Sequence, residues 1–329
     1  MKSARNYSLG IMFRREYAPE TLVSFARQAE ASAFDELWVV EDCLFGGGIA
    51  SATAALACTE HIKLGMGILP AVVRNPVFAA MEIATLERLY PGRFLPGFGH
   101  GVTEWMRQVG ALPGSQLMAL EEVTLAVRRL LAGERFSFHG HYVQLDDVQL
   151  VHPPAQLPAL VFGVIGPKSL ALSGRVADGT ILSEYAAPAY VRWAREQIAV
   201  GQAQADQQHE HRLTLFAYAC ATTSTAAAHA RLRPMLAAAM ASGDIDAKLA
   251  PMGILPEVKR YRQAGGQAAL EAHMPAAWID QMTIAGTADD WQRSIEGYVA
   301  SGIHSIVLVP LPDTTADEIH RFARHLALL

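Results

Sequence analysis

The six residues Gly163-Val164-Ile165-Gly166-Pro167-Lys168 bring together what a phosphate group needs. A glycine lets main-chain N–H groups approach a ligand closely, and Pro167 opens a helix where no needed donor is lost. The helix start then offers free N–H groups and the positive end of its dipole, to which Lys168 adds a full charge. Gly166-Pro167-Lys168 is also an ordinary helix start; its weight comes from following an apolar run directly. Titratable groups gather in similar places, since Glu41-Asp42-Cys43, His100-Gly101 with Glu104, and Glu184-Tyr185 also follow apolar stretches. Asp42 suits a cofactor contact or catalysis, or the plainer tasks of capping a helix or pairing with a cation. His100, between two glycines, is placed either to donate to a ring carbonyl or to face solvent. Glu104 and Glu184 can donate a proton to a substrate or serve as solvated loop carboxylates. Cys43 reads as neutral packing unless something depresses its pKa. His139-Gly140-His141 and His209-Glu210-His211 each set two imidazoles at i, i+2, but without third and fourth ligands nearby no metal site is expected.

Positioning these groups falls to a repeated unit. Short apolar runs alternate with segments of helical period, the pattern of βα units around a parallel sheet. Eight runs read as strands: Tyr7–Phe13, Glu36–Val40, Lys63–Leu69, Arg93–Gly99, Ala159–Val164, Thr180–Ser183, Leu213–Ala219 and Ser305–Val309. Helical period follows Pro19 at Leu22, Phe25, Ala26, Ala29 and Ala33, and recurs over Pro76–Leu89 and Ser115–Leu131. The expected fold is α/β, a (β/α)₈ TIM barrel forming a single domain over residues 1–329. Two insertions are expected: a hairpin within Arg135–Pro154 before strand five, and a helical segment between strands seven and eight. The second is rich in Ala and Met (Met235, Met240, Met252, Met274, Met282) and suits scaffold and lid equally. In such barrels chemistry sits at the C-terminal ends of the strands, where the groups above fall.

Composition excludes several classes. A formal net charge of -5 offers no general attraction to nucleic acid or anionic lipid. With 51% hydrophobic and 18% charged residues the chain can build a large core. Cys43, Cys58 and Cys220 show no disulfide or zinc spacing, which fits a reducing cytoplasm. Met1 to Leu9 has no apolar core of signal-peptide length, and no uninterrupted apolar stretch is long enough to span a bilayer.

Longer blocks carry a resemblance. Leu64-Gly65-Met66-Gly67-Ile68-Leu69-Pro70, Arg74-Asn75-Pro76, the run from Ala84 to Phe94, and Gly97-Phe98-Gly99-His100-Gly101 together resemble the luciferase-like monooxygenase superfamily. Gly166-Pro167-Lys168 and Ala177-Asp178-Gly179 are similar to its deazaflavin branch, which includes methylenetetrahydromethanopterin reductases and sugar-phosphate dehydrogenases. Ala285 to Asp290 and Gly302 to Pro310 are similar too. The resemblance implies hydride transfer between the deazaflavin coenzyme F420 (8-hydroxy-5-deazaflavin) and a small organic substrate, the cofactor supplying the reactivity. It implies a ring resting on Gly67–Ile68 beside Asp42 and His100-Gly101, and a phosphate held at Gly163, Gly166, Pro167 and Lys168. Asp42, His100 and Glu104 are its candidate catalytic residues. A cis peptide bond between Gly67 and Ile68, bulging strand three, is implied as well; the small residues of Ser51–Cys58 (helix two) and apolar residues on more than one face of Pro76–Leu89 (helix three) suggest a homodimer through these two helices, as is usual in the family. Two positions depart from the sugar-phosphate dehydrogenases, Cys43 replacing a histidine and Val102 an acid, so their catalytic residues do not carry over. Phe13, Phe45, Val102 and Trp105 at the expected mouth suggest a weakly polar substrate instead. The alternatives are an FMN-dependent monooxygenase of the same superfamily and, from another class, a non-catalytic flavin-binding barrel.

Overall fold

A computed structural model describes residues 5–32, 34–205 and 210–326; His209 and Ala33 lie outside them. In chain order the elements are β1 (Ser8–Met12), α1 (Leu22–Ala31), β2 (Glu36–Val39), α2 (Gly48–Ala57), β3 (Lys63–Met66), β4 (Leu69–Pro70), α3 (Pro76–Leu89), β5 (Phe94–Leu95) and β6 (Gly97–Gly99). There follow α4 (Thr103–Gln108), α5 (Gln116–Leu131), β7 (Phe136–His139), β8 (Gln144–Val148), β9 (Val161–Gly163), α6 (Pro167–Val176), β10 (Gly179–Leu182), α7 (Pro188–Gln202) and β11 (Arg212–Ala221). The chain continues through α8 (Thr225–Ser242), α9 (Asp246–Leu249), α10 (Leu255–His273), α11 (Ala276–Met282), β12 (Ile284–Gly286), α12 (Ala288–Ala300), β13 (Ser305–Pro310) and α13 (Ala316–Leu326). The fold is α/β, built on parallel strand pairs, and it divides into two compact units.

One unit takes the described residues of Phe13–Ile181 and Gln197–Arg212. Here β2 pairs β3 and β3 pairs β5, while β4 pairs β6, β6 pairs β9 and β9 pairs β10, all in parallel. The strands are apolar and buried almost throughout, as parallel strands covered on both faces must be. Trp38 lies opposite Gly65 across the β2–β3 register, and any side chain at 65 would collide with its ring. The buried carboxylate of Glu36 accepts from Trp38 Nε1 at 2.9 Å and pairs with Arg212. The stretch from 136 to 148 forms an antiparallel two-stranded sheet, β7 with β8. Its turn is held by Glu122, which accepts the N–H groups of His141, Tyr142 and Val143 at 2.7–3.0 Å.

Strands three and four do not run as continuously as the sequence suggests. Strand three stops at Met66 and resumes at Leu69, and the Gly67–Ile68 peptide between them is cis, as expected from the resemblance. Strand four is likewise split into β5 and β6 around Pro96, which lacks the N–H a ladder needs.

The other unit takes the described residues of Met1–Met12, Leu182–Glu196 and Leu213–Leu329. Its sheet runs β12-β11-β13-β1, again parallel, with β13 buried at every position. Against it packs a helical layer in which Leu232, Leu236, Met240, Leu249, Leu270 and Trp278 are buried. Met240, Met274 and Met282 are core residues, which favours the scaffold reading of this segment. The three-residue strand β12 was not expected. It ends in Gly286 and is followed at once by a capping box, with Thr287 and Asp290 each bonding the other's main chain.

Candidate active site

At the end of β2 the chain presents two carboxylates with different work. Glu41 accepts from Arg74 Nη2 at 2.7 Å and from the Gly48 N–H at 2.8 Å. It therefore ties the strand end to the starts of α2 and α3. Arg74-Asn75-Pro76 is explained residue by residue: Arg74 binds Glu41, the Asn75 side chain caps α3 through the Val77 N–H at 2.9 Å, and Pro76 occupies the first helical position. Asp42 is left for another partner. Its Oδ2 accepts from Arg15 Nη1 at 2.8 Å, and its side chain stays 30% exposed.

Ile68 is housed by glycine. A Cβ added at Gly163 would lie 2.6 Å from Ile68 Cγ2, and one at Gly99 would lie 3.0 Å from Ile68 Cδ1 and 2.9 Å from the Gly163 carbonyl. The bare backbones of β6 and β9 thus leave the space this side chain fills. Gly163 was expected to admit a ligand; the structure gives it a second purpose, as part of the seat for Ile68.

His100 and Gly101 follow β6. Gly101 has φ +71, a left-handed conformation that glycine adopts without cost, and a Cβ there would meet Met106 Sδ at 2.9 Å. The His100 Nε2 lies 2.9 Å from Ser169 Oγ. Burial lowers the ring's pKa below the ordinary histidine value, offset in part by the nearby Gln116 main chain. The contact with Ser169 anchors the ring to α6. Ser169 is absent from the residues singled out in the sequence, although a hydroxyl directly after Gly166-Pro167-Lys168 was a legible signal.

The start of α6 matches its sequence reading. Gly166 is the N-cap, no side chain caps it, and a Cβ at that position would meet nothing within 4 Å. Pro167 stands in the first turn and Lys168 is exposed, with no ion pair among the described residues. Free N–H groups, open space and an uncommitted cation fit an anion. Glu104 lies elsewhere in its environment: its side chain is 57% exposed and paired with Arg107 one helical turn on. The Ala177-Asp178-Gly179 motif is structural, since Asp178 accepts from Arg128 at 2.8 Å and from the Leu160 N–H at 2.7 Å. His211, half of one suspected metal pair, bonds Thr180 Oγ1 at 2.8 Å in the core.

Near Asp42 the aromatic residues expected at the mouth gather around a cation. The Arg15 guanidinium lies 5.1 Å from the centre of the Phe45 ring and 5.4 Å from that of Trp105. Val102 is 48% exposed, while Phe13 is buried against Tyr17 and Phe25. In the other unit, Glu184 and Tyr185 follow β10. There Lys248, 3% exposed, donates to Ser183 Oγ at 2.7 Å and to the Ser183 and Glu184 carbonyls at 3.2 and 2.6 Å. Desolvation lowers its pKa to about 8.

Comparison with known proteins adds four facts. Residues 9–305 match the family model of luciferase-like monooxygenases. A 5,10-methylenetetrahydromethanopterin reductase of Methanolobus tindarius is 27% identical over 293 residues, covering 87% of this chain and 89% of its own. An F420-dependent glucose-6-phosphate dehydrogenase of Nakamurella multipartita is 31% identical over 185 residues, 53% of this chain and 55% of the dehydrogenase. Among solved structures, the coenzyme F420 dependent tetrahydromethanopterin reductase from Methanopyrus kandleri aligns with a TM-score of 0.79 over 97% of each chain at 21% identity, a likeness of fold.

Proposed function

Because the chain belongs to the luciferase-like monooxygenase family, we propose that it is an oxidoreductase that binds the deazaflavin coenzyme F420 and acts on a small, weakly polar organic substrate. The open start of α6 carries this reading, because it offers an anion both main-chain donors and the Lys168 charge without displacing any partner. The F420-dependent glucose-6-phosphate dehydrogenase compared above, 31% identical over 185 residues, supports the choice of coenzyme. When bound, the deazaflavin supplies the carbon that gives or takes the hydride.

The chain's own residues bind, orient and exclude. Lys168 and the first N–H groups of α6 hold the phosphate. Ser169 joins that helix start to the His100 ring, so His100 holds the end of β6 against α6. Ile68 presents an apolar wall that keeps water off one side of the site. Asp42 is the group that holds or moves a proton at the substrate, with Arg15 fixing its carboxylate. Glu104, exposed and engaged with Arg107, is given no catalytic part.

The same reading takes residues 1–329 as one (β/α)₈-barrel domain carrying two insertions, the β7–β8 pair and the helices between β11 and β12. It makes the protein a cytoplasmic homodimer joined through α2 and α3, a reading supported by exposed Phe78, Met81 and Leu89 on α3. No helix among the described residues is long and apolar enough to cross a membrane.

Separate titrations with coenzyme F420 and with FMN, followed by cofactor fluorescence, test the proposal. Saturable binding of the deazaflavin with weak or no binding of FMN is expected. The reverse order, with oxygen consumed in the presence of reduced FMN, overturns it in favour of a flavin monooxygenase.

A further inference from the structure

Arg15 carries more donors than the protein uses. Its Nε donates to Glu16 Oε1 at 3.0 Å and its Nη1 to Asp42 Oδ2 at 2.8 Å. Nη2 has no hydrogen-bond partner among the described residues, and the side chain is 37% exposed. A guanidinium holds five N–H groups in one rigid plane, so fixing two nitrogens fixes the third. The guanidinium carbon also lies over two aromatic rings, 5.1 Å from the centre of Phe45 and 5.4 Å from that of Trp105. What remains is a set of aimed donors that lose little freedom on binding a ligand.

The charges around it define the ligand. Arg14 shares Glu16 with Arg15, at 3.0 Å from the carboxylate, so the cluster of Arg14, Arg15, Glu16 and Asp42 holds two cations and two anions. An incoming anion gains no net attraction there. A neutral oxygen acceptor gains a hydrogen bond from a cationic donor that has two aromatic rings beside it.

We propose that Arg15 is a specificity-determining residue that binds the oxygen of a neutral carbonyl or hydroxyl compound through its free Nη2, next to the Asp42 carboxylate. This rests on the assignment of Asp42 to the active site. It explains why an apolar rim surrounds a cation, which a purely hydrocarbon substrate does not require. It also places the substrate's oxygen beside the group proposed to handle its proton.

Calorimetric titrations of the full chain, with and without coenzyme F420, would compare acetophenone, benzoate and ethylbenzene. The wild type is expected to bind acetophenone about tenfold or more tightly than ethylbenzene, the size of one charge-assisted hydrogen bond. Benzoate should bind no better than acetophenone. Arg15→Met should bring acetophenone down to the level of ethylbenzene, and Arg15→Lys, which keeps the charge but loses the fork, should recover only part of the preference. Should Arg15→Met misfold by circular dichroism, Arg15→Gln replaces it. An unchanged acetophenone preference in the folded variant, or a tenfold preference of the wild type for benzoate, overturns the proposal. Failure of the wild type to bind F420 would instead strike the cofactor reading, since the acetophenone comparison is also made without it.

Discussion

A single lysine decides how tightly the proposed phosphate site can work. Lys168 is exposed and without a competing carboxylate among the described residues, so its charge is available in full. Lys168→Glu turns a charge-assisted contact into a repulsion and should weaken deazaflavin binding by about 1.5–3 kcal/mol, with unfolding midpoints unchanged. Fluorescence titration of the variant checks this, and wild-type affinity would place the phosphate elsewhere. Lys248 makes a different prediction because it is buried. Its ordinary pKa of 10.5 falls to about 8 in the folded chain. Between those values the unfolded state binds more protons than the folded one, so this group adds stability as pH rises from about 8 to 10.5. Urea unfolding of the wild type and Lys248→Met at pH 7.5, 9 and 10 should show the difference moving in the wild type's favour. Residue roles were only partly legible in sequence. Asp42, His100 and the Gly166-Pro167-Lys168 start could be found because each follows an apolar run. Arg15 and Ser169 also stand just past apolar runs, but the partners that give them their roles lie 27 and 69 residues away, and no local pattern encodes those contacts.

Elements were easier to read than their joints. Pro76–Leu89 is helical over the expected span because Asn75 and Pro76 begin it, and Ser115 caps α5 through the Met118 N–H. The breaks in strands three and four escaped because periodicity does not register a two-residue interruption. β12 escaped because three residues are too few to show a period, and its neighbours are strongly helical. Glycines between elements carry a testable contrast. A side chain at Gly201 on α7 would run into the main chain of α6 at Ala171, so Gly201→Ala should cost about 1–3 kcal/mol or more. Gly297, inside α12, faces open space, and Gly297→Ala should raise stability by about 0.5–1 kcal/mol. Thermal or urea unfolding of the two variants side by side would expose any error in the packing of α6 against α7.

At the scale of the whole chain, the alternation of apolar runs and helical segments was sufficient to give the α/β class. It could not reveal that one compact unit is assembled from three separated stretches of sequence. Assembly beyond the chain is a question for the outer face of α3. Phe78 is 63% exposed, and Leu89, 62% exposed, and Val151, 85% exposed, border a cleft of about 460 Å³. Large apolar side chains grouped in this way are unfavourable in water and suit an isologous contact. Light scattering at micromolar concentration should give twice the 35.6 kDa of one chain, and Phe78→Glu should shift the mass toward the monomer. A monomer for the wild type would remove the dimer from the proposed function.

The glycine seat of Ile68 also limits the order in which this protein can change. Gly163→Ala alone meets Ile68 Cγ2 and should be destabilising by about 1–3 kcal/mol. Ile68→Ala removes that methyl, so the double substitution should cost less than the sum of the two singles, while Ile68→Val, which keeps both branches, should give no relief. Any lineage that enlarges position 163 must therefore first shorten position 68, and the two sites form one heritable unit with a permitted direction of travel.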